Sequence, residues 1–303
     1  MSGAAVLMSA ALALGCQESG FDESKETVRP LKVQHAMGDL GGTKVPGQSE
    51  RPMTLTADAL GDTLALGVRP VRAALPGARL PAYLRSEAAG IKVVPPVTSL
   101  DLPEVKAANP DVILGSSERQ GRLYRALSEI APTIMSEGGG AAWELTVRLH
   151  GEALGRTNDA ERLLIDWDRR VATARSQLGK GVDETEVSVV LVTRAGILMA
   201  GAESFPGKVL SDVGLARPPA QDGIREQETV APEQIPALDG DVILLSVAPG
   251  AEANATRLED SGRWKRLRAV RSGDVRRVDA GTWWTGGGIL AARAALEDLK
   301  RVL

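Results

Sequence analysis

Asp111-Val112-Ile113-Leu114 recurs in the second half of the chain as Asp241-Val242-Ile243-Leu244. Upstream of each copy a Pro-Glu pair opens a helix-like stretch, Pro103-Glu104 with Ala107 and Pro232-Glu233 with Ala237. Downstream of each comes a serine, Ser116 or Ser246, then a loop and a helical segment carrying one aromatic and basic residues. These segments are Tyr124-Arg125-Ala126-Leu127 and Trp264-Lys265-Arg266-Leu267. A further pair lies earlier in each half, Leu66-Gly67-Val68-Arg69-Pro70 against Val213-Gly214-Leu215-Ala216-Arg217-Pro218. A short apolar run bounded by Pro or Asp and a serine-bearing loop reads as a buried parallel strand. One four-residue match is within the reach of chance; ordered correspondences in both halves mark an internal repeat. Strand–helix alternation in each half predicts an α/β fold of two similar lobes with parallel sheets.

Between the halves, Asn158-Asp159-Ala160-Glu161 opens a helical pattern running through Leu163, Leu164, Trp167, Val171 and Ala174 to Leu178. Asn158 suits an N-cap, and Asp159 and Glu161 suit the positive end of the helix dipole. Gly179 and Gly181 close the pattern as glycines commonly do at helix ends. No proline interrupts it, so one rigid rod is expected to join the lobes.

Composition narrows the function classes. The 303 residues carry 36 basic and 39 acidic side chains, a formal charge of −3. Nucleic acid is therefore not the expected partner, because phosphate binding needs a dense basic stripe. One cysteine and two histidines exclude an intrachain disulfide and leave no multi-cysteine metal site. Gly201 to Val209 approximates a phosphate-binding loop, but it has one residue too many and Val209 stands where a magnesium-binding hydroxyl is needed. No Gly-x-Ser-x-Gly elbow and no two-histidine helix motif occurs. The sequence offers no catalytic constellation, and no enzyme activity is expected.

The single cysteine, Cys16, follows an apolar run from Ala4 to Gly15. That run is shorter than the ~20 residues of a membrane span but fits the core of a secretion signal. Leu12-Ala13-Leu14-Gly15-Cys16 resembles the lipobox of bacterial lipoproteins, in which the cysteine is acylated. It departs from that pattern at Ala13, where leucine is usual, and no Lys or Arg precedes the run. The polar stretch after Cys16 reads as a flexible tether, and Gly38-Asp39-Leu40-Gly41-Gly42 as a turn between two short strands.

From about Val33 to Leu303 the chain resembles the substrate-binding lipoproteins of bacterial ABC importers, of the iron–siderophore and cobalamin class. The resemblance is carried by Leu64 to Pro70, Asn109 to Ser116, Leu127 to Thr133, and Ala153-Leu154-Gly155. It continues through Ser204-Phe205-Pro206-Gly207, Asp212 to Leu215, Trp283 to Gly288, and Glu297-Asp298-Leu299. It implies two Rossmann-like α/β lobes joined by one long helix, with the ligand in the cleft between them. The expected divisions are a lipoprotein signal over 1–15, a tether over 16–32, and a first lobe over 33–154. The joining helix is expected over 155–181 and the second lobe over 182–303. The implied partners are a ferric siderophore and ABC permease subunits. The protein is expected to be a monomer held outside the cell membrane by lipid on Cys16. Iron is expected only within the bound chelate, with no cofactor or protein-ligated metal.

Ligand in such folds meets the loops at the C-terminal ends of parallel strands. The candidates that follow from the resemblance are Tyr83, Arg85, Arg119 and Trp143 in the first lobe, with Arg194, Phe205, Trp283 and Trp284 in the second. Trp167 and Trp264 read as core residues. Of Trp283 and Trp284, one is expected to face the cleft and the other the core, as strand neighbours do. Relatives commonly place an arginine where this chain has Leu191, and Arg194 lies three residues on. They also present a docking glutamate from each lobe; Ser99 and Thr229 occupy those places, leaving Asp101, Glu104 and Glu228 as the nearby acids. So few cations favour a neutral or cationic hydroxamate chelate over a multiply charged catecholate. Cobalamin or haem, and a lipid-anchored sensor that has lost its permease, are the alternative functions.

Overall fold

The computed structural model describes residues 29–38, 42–95, 102–138 and 140–303. Cys16, its apolar run and Asp101 lie outside the described residues. The described residues open with two paired antiparallel strands, β1 (Leu31–Val33) and β2 (Thr43–Val45); residues 39–41 of the expected turn lie outside the described residues.

The first lobe follows with β3 (Pro52–Thr54), α1 (Ala57–Ala65), β4 (Arg72–Ala74), β5 (Val93–Val94) and α2 (Leu102–Ala108). It ends with β6 (Val112–Ser116), α3 (Ser117–Gln120), α4 (Tyr124–Ser128), β7 (Thr133–Ser136) and α5 (Trp143–Ala153). Its five strands lie in the order β5-β4-β3-β6-β7, all parallel. Every residue of β6 and β7 is buried, as expected of strands covered on both faces.

The chain crosses to the second lobe through α6 (Thr157–Leu178). At 22 residues it is about 33 Å long. Asn158 lies inside its first turn rather than at its cap, which is Arg156, while Gly179 ends it with φ 84° as the sequence suggests. Beyond it come β8 (Val187–Val192), β9 (Ile197–Ala200), α7 (Phe205–Val213), β10 (Gln227–Val230) and β11 (Val242–Val247). The last elements are α8 (Glu252–Asp260), α9 (Arg268–Ser272), β12 (Val275–Arg277), α10 (Ala280–Trp283) and α11 (Gly288–Val302).

The second sheet has the order β10-β9-β8-β11-β12 and is mixed, which departs from the expectation of parallel sheets alone. β8, β11 and β12 are parallel, but β9 runs antiparallel to both β8 and β10. The cause is local: only Thr193 to Gly196 separates β8 from β9, too little chain for a parallel crossover. The Thr193 hydroxyl closes that turn, accepting from the N–H groups of Ala195 and Gly196, both at 3.1 Å.

The repeated Asp-Val-Ile-Leu words have matching jobs. Asp111 accepts the N–H groups of Glu50 (2.7 Å) and Arg51 (3.0 Å), just ahead of β3, the strand that β6 pairs with. Asp241 accepts the N–H of Glu186 (2.9 Å), just ahead of β8, the partner of β11. Each aspartate thus pins the start of the neighbouring central strand and fixes its register.

Three aromatics from three parts of the chain pack together at the hinge. Trp143 of α5 stands edge-on to Trp167 of α6, ring centres 5.4 Å apart, and to Phe205 of α7 at 6.4 Å. Lys208 of α7 adds an ion pair to Glu144 of α5 (2.8 Å) and one to Asp212, which also accepts from Trp167 Nε1 at 3.2 Å.

The terminal helix α11 packs on α1, α5 and α6, so the end of the chain returns to the first lobe. Within the expected second lobe over 182–303, α11 thus packs on first-lobe helices as well as on α7 and α10. The apolar face of α11, from Ile289 through Ala292 and Leu296 to Leu299, is completed by first-lobe helices.

Candidate ligand cleft

Strand order locates the site before any side chain is considered. In the first sheet, successive connections go to opposite sides of β3, so the order reverses between β3 and β6. In the second the reversal lies between β8 and β11. The loops leaving the C-terminal ends of such a pair diverge and leave a crevice. Arg119 sits on α3 directly after β6, and Arg194 in the turn directly after β8. Both are exposed, and neither side chain has a hydrogen-bond or ion-pair partner among the described residues. Arg85, exposed at the end of the 82–84 turn, is likewise unpaired. Many other arginines of the chain are tied to carboxylates, including Arg72, Arg148, Arg225 and Arg293.

The two lobes meet where the 82–84 turn, beyond β4, packs on α10, beyond β12. Tyr83 and Trp284 come from the two sides of this junction, and each is half-buried. The Tyr83 hydroxyl and the Trp284 indole N–H are buried, and neither has a protein partner. Burial, then the charges of Asp58, Asp62 and Asp279, push the Tyr83 phenol well above its ordinary value, so it stays a neutral donor.

Asp58 and Asp279 were not anticipated from sequence. Asp58 lies in the first turn of α1 and abuts Gly287, where an added Cβ would sit 3.2 Å from the Asp58 Cβ. Asp279 caps α10 by accepting the Thr282 N–H at 2.9 Å. Each follows a strand at a helix start, a position the capping pattern reveals only once the strands are placed.

Three expected ligand residues are core residues instead. Trp143 has no exposed surface, because the hinge aromatics enclose it. Phe205 is 5% exposed on the other side of the same cluster. Trp283 is fully buried, with its Nε1 donating to Asp298 of α11 at 3.0 Å. Trp283 is the core member of the pair and Trp284 is half-buried, but strand alternation is not the reason. They sit at the end of a short helix, not on a strand, and α11 covers one of them. Trp167 and Trp264 are core residues, at 1% and 3% exposed.

Among the docking candidates, Glu104 is paired with Arg72 at 3.1 Å, and Glu228 is exposed on β10, accepting from Gln234 Nε2 at 3.1 Å. The described residues contain no cluster of His, Cys, Asp or Glu fit to hold a metal ion. Two surface depressions of the second lobe, one along Glu203 and 223–228 and one beside Arg217, include no residue from the loops after β3, β6, β8 or β11.

Comparison with known proteins agrees with this geometry. The chain is 33% identical over 264 residues to the achromobactin-binding periplasmic protein of Dickeya dadantii, covering 84% of this chain and 86% of that one. It is 31% identical over 302 residues to a Bacillus subtilis protein named "Probable siderophore-binding lipoprotein YfiY", covering 95% and 92%. The structure of Staphylococcus aureus SirA complexed with staphyloferrin B superposes with a TM-score of 0.79 at 27% identity, over 89% of this chain and 97% of that chain. Residues 53–282 match the periplasmic binding protein family, and the chain belongs to it.

Proposed function

We propose that the protein captures a ferric siderophore outside the cytoplasmic membrane and delivers it to an ABC importer. The observation that carries this reading is the placement of unpaired Arg119 and Arg194 at the two strand-order reversals. The names of the relatives support it, since they describe binding of siderophores. Iron enters as part of the chelate, and the protein needs no catalytic group or cofactor to bind it.

The charges favour a hydroxamate. The expected ligand loops offer three unpaired arginines, and the carboxylates of Asp58 and Asp279 act on Tyr83 at the lobe junction, so a multiply charged catecholate would lose hydration without matching compensation. A neutral or cationic trishydroxamate needs only a few donors on its oxygens, and an ammonium tail can rest near the carboxylates or on the Trp284 face. Haem and cobalamin are less well served. His150 is buried against Asp62, His35 is held by backbone N–H groups, and the Tyr83 phenol is kept protonated.

Titration with ferrioxamine B, a ferric triscatecholate, cobalamin and haem, followed by tryptophan fluorescence, tests the ligand class. The hydroxamate should bind tightest. Arg119→Ala and Trp284→Ala should each weaken it about tenfold or more, the worth of a charged hydrogen bond or a large packed face. Tighter binding of the triscatecholate would overturn the charge argument.

Delivery and anchoring complete the proposal. Glu104 and Glu228, with Asp101, are the acids offered to basic permease residues, and Cys16 is the site of lipid attachment. A single acyl chain binds membranes only marginally, so a lipoprotein's several chains are required. Cys16→Ser should move the protein from the membrane fraction to the soluble one; unchanged retention would contradict the anchor.

A further inference from the structure

β7 is the outer strand of the first sheet, and among the described residues one side of it has no neighbouring strand. Its penultimate residue, Met135, nevertheless has both backbone groups on that side occupied. The Met135 carbonyl accepts the Ala36 N–H at 3.1 Å, and the Met135 N–H donates to His35 Nδ1 at 3.3 Å. The His35 ring thus stands in for the carbonyl of a missing strand. Nδ1 also accepts the Met37 N–H at 3.3 Å, so it is the bare nitrogen, and the proton sits on Nε2, 2.8 Å from the Thr43 hydroxyl. Burial holds the imidazole below its ordinary value, which agrees with a neutral ring. Gly38 completes the turn because the ring leaves no room for a side chain: an added Cβ would lie 2.9 Å from His35 Nε2.

This turn reaches the strand end that carries a ligand candidate. The Met37 sulfur lies 3.9 Å from where a Cβ on Gly121 would sit, two residues beyond Arg119. The His35 ring packs on Tyr124, centres 5.7 Å apart and tilted by 58°. Met37 stays 37% exposed, one of few large apolar side chains so open to solvent.

We propose that residues 35–38 form a lip of the cleft, in which His35 is a positioning residue and Met37 an apolar contact for the organic arms of a ferric chelate. Thioether side chains adapt to irregular apolar surfaces, which suits contact with flexible methylene chains. The proposal rests on the siderophore reading, and its two halves are measured separately. In the ligand-free protein at pH 7.5, nitrogen-15 NMR should show His35 as the Nε2–H tautomer, and the Met37 and Met135 amides should exchange slowly. His35→Leu should make both amides exchange faster and weaken ferrioxamine B binding about tenfold, the effect of removing one acceptor shared by two backbone donors. His35→Asn, whose side-chain oxygen can replace Nδ1, should restore most of both. Met37→Ala, which trims a partly exposed side chain and leaves the Met37 N–H in place, should weaken binding while leaving the His35 tautomer unaltered. Binding unchanged in both His35→Leu and Met37→Ala would overturn the lip. Protected amides in a wild-type protein that binds none of the ferric chelates would overturn the siderophore reading and the ligand role together, leaving only a structural clip.

Discussion

Asp62→Ala lowers the stability of the fold by about 3–5 kcal/mol, the cost of leaving one member of a buried charged pair alone. In a chain of 303 residues that corresponds to a fall of roughly 5–8 °C in the thermal midpoint, readable by circular dichroism. Asp62 lies on α1 with no exposed surface and touches two other helices. One oxygen is 2.8 Å from His150 Nδ1 of α5, and the other accepts the Ile289 N–H of α11 at 2.9 Å. Gly288 admits the close approach: its φ is 69°, and a Cβ there would lie 2.2 Å from the carboxylate. The cluster therefore ties the returning end of the chain to the first lobe. Asp62→Asn, which preserves the shape and an acceptor, should cost markedly less.

The same pair gives stability a pH dependence. Burial alone would pull His150 down, but the hydrogen bond and charge of Asp62 outweigh it and hold the imidazole above its ordinary value. Burial pushes the Asp62 carboxyl up, against the pull of His150 and the Ile289 N–H. Both groups hold protons more firmly in the folded chain than in the unfolded one. The His150 contribution is fully present below about pH 6.5 and is lost as pH rises through its higher folded value. The thermal midpoint should fall as pH rises above about 6.5, and Asp62→Ala should lack that slope. A midpoint that rises with pH in the wild type would contradict the assignment.

Trp143→Ala is the other large expected effect, about 3–5 kcal/mol from an emptied indole site. Trp143 meets Trp167 on the joining helix and Phe205 in the second lobe, so its loss loosens the hinge. Its indole N–H is buried without a partner, so Trp143→Phe should be tolerated far better. Denaturant unfolding of the two variants beside their ferrioxamine B affinities decides between hinge core and ligand contact. A stable Trp143→Ala protein with selectively lost binding would return Trp143 to the cleft.

The sequence made the two-lobe plan legible because its signals are local. Asp111 and Asp241 precede apolar runs, and an unbroken amphipathic stretch ends at Gly179. Arg119 and Arg194 could be placed because each directly follows such a run. The features that escaped depend on contacts between distant parts of the chain. Nothing near Gly288 shows that α11 leaves its own lobe to meet Asp62, and nothing near Trp143 shows that Phe205 covers it. With aromatics only 3% of residues, Trp143, Phe205 and Trp283 each suggested a ligand contact, yet a hinge between two lobes needs large side chains too. The antiparallel β9 was readable in principle, since the turn at Thr193 to Gly196 is too short for a crossover.

The central claim is that a ferric chelate sits between the lobes, at the C-terminal ends of both sets of strands. Anomalous scattering at the iron edge, from crystals grown with ferrioxamine B, locates the metal directly. One iron peak is expected between the loop bearing Arg119 and the turn bearing Arg194, with chelate oxygens in reach of donors from both lobes. An iron peak in the outer depression beside Glu203 and Arg225, or contacts confined to one lobe, would contradict it.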